Sequence, residues 1–169
     1  LLIDALEPSV SQDQKIAGLV KEAGKGLIIA VSKWDAIENK DDKSMASLSR
    51  RITRDYQFVW WAPLIFTSSA TGQNITDLLE LILAVESNRN TTVPTTALNQ
   101  LITRATIQQP PAGLKNKHPK IKYAVQKSTA PPHFILFASY AELIHFSYRR
   151  YIENQLRSQY QFLGSPITI

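Results

Sequence analysis

The stretch Gly26-Leu27-Ile28-Ile29-Ala30-Val31-Ser32-Lys33-Trp34-Asp35 decides the fold. Its first half is a continuous apolar run, the pattern of a parallel strand covered on both faces. Its second half is a short polar turn with a carboxylate at the tip. In an open α/β sheet, ligands bind just beyond the carboxyl ends of the strands, so Ser32, Lys33 and Asp35 are placed to meet one. The Asp35 carboxylate is acceptor-only and can take two hydrogen bonds from the N1–H and exocyclic amine of a guanine. Adenine presents no such pair of donors. Taken alone, a lysine and an aspartate two apart after a strand are more often a solvated turn than a ligand site.

Working outward, a second strand-like run, Leu64-Ile65-Phe66, leads into Thr67-Ser68-Ser69-Ala70-Thr71-Gly72 and then a helix, so two strand ends are expected to converge on one site. Upstream, Ser11 and Gln14 read as a capping box, and Ile16, Leu19, Val20 and Ala23 recur at helical spacing until Gly24 stops the helix. Lys40 to Ser44 reads as a charged loop, and Met45, Leu48 and Ile52 mark another helix. Trp60 and Trp61 are expected to pack at a domain boundary. Thr76 reads as the N-cap of a further helix whose core face is Leu78, Leu79, Ile82 and Val85. Strand and helix alternate throughout residues 1–89, which predicts an α/β domain with a parallel sheet.

A polar stretch closed by proline, Asn88 to Pro94, reads as a linker, and beyond it the rhythm changes. A helix carrying Leu98, Leu101, Ile102 and Ala105 precedes Pro110-Pro111 and a basic loop, Leu114-Lys115-Asn116-Lys117-His118-Pro119. Two strands follow, Ile121 to Lys127 and Phe134 to Ala138. The first alternates Ile121, Tyr123 and Val125 with Lys120, Lys122 and Gln126, so one face should be wet. A long helix holds Ile144, Tyr148, Ile152 and Leu156 on one stripe and Arg149, Glu153 and Arg157 on another, and a short strand is expected at Ile167 to Ile169. The order αββαβ over residues 90–169 predicts a small α+β domain. Charge divides along the same boundary: ten Lys/Arg against twelve Asp/Glu in residues 1–89, nine against two in residues 90–169. The basic half is suited to a polyanion, since each phosphate neutralised releases counterions.

Lys33-Trp34-Asp35 looks like the Asn-Lys-x-Asp guanine-specificity motif of GTPases, and Thr67-Ser68-Ser69-Ala70 looks like their Thr-Ser-Ala-x loop. Gln12-Asp13, Ile16-Ala17-Gly18, Glu22-Ala23-Gly24-Lys25-Gly26, His145-Phe146-Ser147-Tyr148-Arg149-Arg150-Tyr151 and Glu153-Asn154-Gln155-Leu156-Arg157 narrow the likeness. Together these stretches resemble the bacterial double-GTPase family called EngA or Der. The resemblance implies that residues 1–89 are the C-terminal half of a GTPase domain and residues 90–169 a KH-like domain. It implies a guanine site, for GTP or GDP, at Ser32, Lys33, Asp35, Ser68, Ser69 and Ala70, with magnesium held by residues outside this chain. It implies a cytoplasmic GTPase of ribosome biogenesis whose partners are ribosomal RNA and the large-subunit precursor. Within the protein it implies a contact between the GTPase and KH-like domains.

Three departures qualify that expectation. Ser32 stands where the family has Asn, and its hydroxyl cannot supply both an amide donor and a carbonyl acceptor. Ser69 stands where the loop usually has Ala. The Gly-x-x-Gly grip of RNA-binding KH domains does not occur, because Gly113 and Gly164 are the only glycines beyond residue 90. RNA contact is therefore assigned to Lys115, Lys117, Lys120, Lys122, Arg149 and Arg150, with domain docking the competing role for the two arginines.

No Gly-x-x-x-x-Gly-Lys-Ser/Thr occurs in the 169 residues, so the chain by itself is expected to be inactive. It opens as the interior of a strand, at Leu1-Leu2-Ile3-Asp4-Ala5, and is expected to be the C-terminal part of a longer protein. There is no cysteine, no bilayer-length apolar run and no paired metal-ligand spacing among His118, His133 and His145. The competing expectation, from a different class, is a non-enzymatic RNA- or protein-interaction module with a degenerate or incomplete nucleotide site.

Overall fold

A computed structural model of the chain describes residues 1–38, 41–114 and 116–169, which separate into two compact units. The first holds Leu1–Arg89 together with Leu163–Pro166, and the second holds Asn90–Phe162 and Ile167–Ile169.

In the first unit three strands, β1 (Leu2–Asp4), β2 (Ile29–Ser32) and β3 (Leu64–Phe66), form a parallel sheet in that order. The apolar run of β2 makes it central: it pairs with β1 through Ile3↔Val31 and Asp4↔Ser32, and with β3 through Val31↔Phe66. Helix α1 (Ser11–Glu22) carries the first crossover and α2 (Asp42–Asp55) the second. Around them Ile3, Val31, Trp34, Ile52, Tyr56, Val59 and Trp61 form a buried core.

Several local expectations shift. Helix α1 is capped by Val10 in an extended conformation with no side-chain bond, and Ser11 is already helical. The working capping box lies at α2, where Asp41 accepts from the Ser44 amide at 2.6 Å and Ser44 Oγ accepts from the Asp41 amide at 3.0 Å. The helix therefore begins within the stretch read as a charged loop. Helix α3 (Ile75–Arg89) starts one residue before Thr76. Its packing is also narrower than its apolar pattern suggests: Val85 and Arg89 are buried, whereas Leu79, Ile82 and Leu83 are exposed. The reason is the route of the chain near its end. Gly164, at φ +63°, donates to the Trp61 carbonyl and accepts from the Leu27 amide at 2.8 Å, and a Cβ there would lie 2.4 Å from Val85. Arg89 donates to the Gly24 carbonyl at 3.1 Å. The C-terminal turn of α3 is thus clamped, while its middle borders an open groove of about 820 Å³ beside β1.

In the second unit helix α4 (Thr95–Gln108) buries Leu98, Leu101, Ile102 and Ala105, and helix α5 (Phe146–Tyr160) buries Tyr148, Ile152 and Leu156. Both cover one face of an antiparallel hairpin, β4 (Lys120–Ser128) and β5 (His133–Ser139). The Asn99 side chain donates to the Ala124 carbonyl at 2.9 Å and accepts from its amide at 2.8 Å, so α4 serves the free edge of β4 as a strand would. On the other edge the expected final strand is reduced to a single parallel bridge, Thr168 to His133. Arg157 is buried and pairs with half-buried Glu153, its nitrogens 2.8 and 2.9 Å from the carboxylate, and donates to the Phe162 carbonyl at 3.0 Å. Desolvation lowers the Arg157 pKa and the nearby Glu153 opposes that shift.

Two buried tyrosines make opposite use of their hydroxyls. Tyr148 donates to the Gln109 carbonyl at 2.8 Å, whereas the Tyr56 hydroxyl has no hydrogen-bond partner. Burial raises both phenols to about 12. Tyr148→Phe is expected to lower stability by about 1 kcal/mol and Tyr56→Phe to leave it unchanged or raise it, because only the first change removes a made bond. Urea midpoints of the two variants check this.

Candidate functional site

The carboxyl ends of all three strands of the first unit lie side by side, and the expected site residues sit on the loops that leave them. Strand β2 ends at Ser32, whose hydroxyl donates to the Ile3 carbonyl at 3.0 Å. Lys33 then takes a left-handed conformation, φ 56° and ψ 34°, which turns the chain into a short 3₁₀ segment at Trp34–Ala36. Trp34 fastens this turn to β3. Its ring is buried edge-on against Phe66, with centroids 4.8 Å apart, and its amide donates to the Thr67 carbonyl at 3.1 Å.

The turn brings Asp35 to the second loop. Ser68, fully buried, donates its hydroxyl to Asp35 Oδ1 at 2.5 Å and accepts from the Thr71 amide at 3.2 Å. A donor chain therefore runs from the Thr71 N–H through Ser68 to the Asp35 carboxylate. Asn74, itself at positive φ, donates to the Phe66 carbonyl at 2.9 Å and closes the loop before α3. Ser69 and Ala70 lie exposed on the same turn. The expected convergence of the two loops is present, and a hydroxyl-to-carboxylate bond makes it.

One participant was not singled out from the sequence. Asp4, at the end of β1, accepts from the Lys33 ammonium at 2.7 Å. That hydrogen bond holds the Asp4 carboxyl below its ordinary value of 3.8, helped by the Leu6 amide, and raises Lys33. The signal available was an acidic residue ending a strand-like run next to the one that ends in Ser32.

The basic residues divide between two places. Lys120 and Lys122 are exposed at the start of β4, and Lys117, exposed just before it, holds its ammonium 5.4 Å from the Tyr140 ring. Lys115 lies outside the described residues. Arg149 and Arg150 are exposed on the first turns of α5. Among the described residues no cluster of His, Cys, Asp or Glu is arranged to hold a metal ion, and no helix is long and apolar enough to cross a membrane.

The first unit is thus a parallel α/β unit with a polar site at its strand ends, and the second a KH-like α+β unit. Residues 92–169 match the family described as KH-domain-like of EngA bacterial GTPase enzymes, C-terminal. The whole chain is 44% identical to the GTPase Der of Chloroflexus aggregans, and 99% of it aligns at 46% identity with that of Desulfitobacterium hafniense. A third relative, the GTPase Der of Brevibacillus brevis, is 43% identical over the full chain. The chain belongs to the EngA/Der family. It spans 38% of the length of each of these relatives.

The Lys33–Asp4 pair has a pH signature. A carboxyl whose folded-state pKa is lowered contributes stability above its ordinary value, and that contribution is lost as pH falls through the lowered one. In Lys33→Met the Asp4 titration midpoint is expected to move back up towards 3.8, followed by carbon NMR of the Asp4 carboxyl. A midpoint that stays low would assign the shift to the Leu6 amide.

Proposed function

We propose that the first unit reads the guanine base of GTP or GDP in a cytoplasmic GTPase of large-subunit ribosome biogenesis. On this reading the first unit is the C-terminal half of a GTPase domain, and the KH-like unit carries a surface for ribosomal RNA. The observation that carries the proposal is the bond between Ser68 and Asp35, which ties the two strand-end loops into one polar site. Asp35 accepts the two guanine donors. Ser68, which accepts from the Thr71 amide, holds one carboxylate oxygen in place. Lys33 supplies a flat aliphatic stem for the ring system, steadied at its end by Asp4. A site built on such bonds rejects a base lacking the matching groups, because its own polar atoms are then left unpaired.

The residues present fit the base and not the phosphates. No glycine-rich phosphate loop or magnesium-binding Ser/Thr that follows it occurs in the sequence, so those roles fall to other parts of the full-length protein. Hydrolysis of the γ-phosphate supplies a switch in proteins of this kind. This chain contributes the specificity of the switch and an RNA-facing unit. A second reading, a non-enzymatic interaction module, is favoured by one observation: the Ser32 hydroxyl donates to Ile3, so its proton is not offered to a base.

In the full-length protein Asp35→Asn is expected to shift preference from GTP towards xanthosine triphosphate, because the amide offers a donor where xanthine offers a carbonyl. Competition between the two nucleotides measures it. An unchanged guanine preference would favour the module reading.

The RNA assignment has its own test. Replacing Lys115, Lys117, Lys120 and Lys122 with Ala is expected to weaken binding across RNA sequences and to flatten its dependence on potassium chloride. Arg149→Ala with Arg150→Ala separates the roles left open for the arginines: weaker RNA binding marks a phosphate contact, whereas unchanged RNA affinity with faster amide exchange in the first unit marks docking.

A further inference from the structure

The hairpin of the second unit has an outer face that its sequence pattern conceals. A register irregularity lies between Ile121 and Tyr123, so Lys122 has no partner opposite it in the ladder. A bulge of this kind reverses which residues point inward beyond it. Ala124, fully buried, and not Tyr123, faces the core beside Leu136 and Phe134. Tyr123 and Phe137 face outward as a cross-strand pair. Their rings are stacked with centroids 4.8 Å apart and an interplanar angle of 14°, and 44% and 45% of the two residues is exposed. Val125 and Ile135, half-buried, continue the same face. Tyr140, one residue past β5, adds a third exposed ring under the Lys117 ammonium.

The charge around these rings is of one sign. Strands β4 and β5 carry Lys120, Lys122 and Lys127 and no acidic residue. The two acids of this half of the sequence lie elsewhere, Glu153 in the pair with Arg157 and Glu142 beyond β5. An apolar protein surface would leave the lysines unmatched, and a second copy of the same face would set lysine against lysine. A strand of phosphates carrying unpaired bases matches both features, because bases stack on exposed aromatic rings while ammonium groups follow the backbone.

We propose that the outer face of the β4–β5 hairpin is a stacking platform for single-stranded RNA, with Tyr123 and Phe137 as the base-contacting pair. This deepens the RNA reading of the second unit and rests on it, but it adds a different term. The lysines supply a salt-dependent attraction indifferent to strandedness, and the rings select unpaired bases.

The test uses the full-length protein, a single-stranded RNA 12-mer with a central 2-aminopurine, the same sequence as a duplex, and the corresponding DNA strand. Tyr123→Leu with Phe137→Leu keeps the face apolar and removes its rings. It is expected to weaken the single-stranded 12-mer about tenfold, on the scale of one lost base stack, and to remove the 2-aminopurine quench without changing the salt slope. Duplex binding is expected to stay unchanged. Tyr123→Phe keeps the ring and is expected to bind as the parent, which guards against a misfolded double variant. Lys120→Gln with Lys122→Gln is expected to flatten the slope and keep the quench. A double variant that folds, binds the single strand as the parent does and quenches equally overturns the platform. An equal loss on the duplex overturns it as well, and tighter binding of the DNA strand overturns the assignment to RNA. A parent that binds none of the three oligonucleotides overturns the RNA reading itself.

Discussion

The polar site of the first unit depends on β2 being paired on both sides. Its residues are buried on both faces and its register is fixed twice, Asp4↔Ser32 towards β1 and Val31↔Phe66 towards β3. Shifting either pairing by one residue would turn apolar side chains out of the core, so the register is strongly specified. The alignment of strand ends follows from it. Asp4, Lys33 and Ser68 come within reach of one another or of Asp35 because three strands stop at nearly the same level. Trp34 then converts a strand end into a site: with its ring buried, the turn cannot swing away, and Asp35 is delivered to Ser68 instead of to solvent.

Much of this was legible in the sequence, for an identifiable reason. A continuous apolar run followed by a polar turn specifies a covered strand and its end, and the same pattern recurs at Leu64-Ile65-Phe66. Asp4 was not legible as a partner of Lys33, because nothing in a strand-like run states which neighbouring strand it will join. Helix boundaries were read less well. Ser11 looked like a cap, but the side chain that closes a box is Asp41 with Ser44, and cap geometry depends on how the chain enters the helix, not on residue type alone. The apolar stripe of α3 was read correctly as apolar and, at Val85, as core, but Leu79 and Ile82 are exposed. Burial of a helix requires a neighbour, and periodicity records only the helix's own half of that contact.

The second unit shows the same limit more sharply. Strict alternation from Lys120 to Gln126 predicts one wet face and one dry face, with Tyr123 on the dry one. A single unpaired residue at Lys122 reverses the parity, and a period-two pattern cannot show where its phase changes. The result is a hairpin whose apolar face is divided. Ala124, Leu136 and Phe134 go to the core, and Tyr123 and Phe137 stay in solvent, where they satisfy part of their apolar surface by stacking on each other. Small Ala124 against α4 also explains the Asn99 contact, since a bulky residue there would keep the helix too far from the strand edge for both bonds to form.

Ser32 ties the chemistry of the site back to its architecture. Where an asparagine would present an amide beyond the strand end, the serine hydroxyl is short enough to fold back on the Ile3 carbonyl of the neighbouring strand. The substitution therefore moves a polar group from the ligand side of the strand ends to the sheet side. It adds a bond between β1 and β2 worth about 1 kcal/mol net, and on the proposed function it would withdraw a bond of similar size from the base beyond Asp35. If the site reads a base as proposed, discrimination would rest more heavily on the Asp35 carboxylate, which accepts and does not donate, and on the Ser68 hydroxyl that fixes its orientation. On the proposed reading, a site of that composition would still separate guanine from adenine, because the pair of donors facing Asp35 would belong to guanine alone.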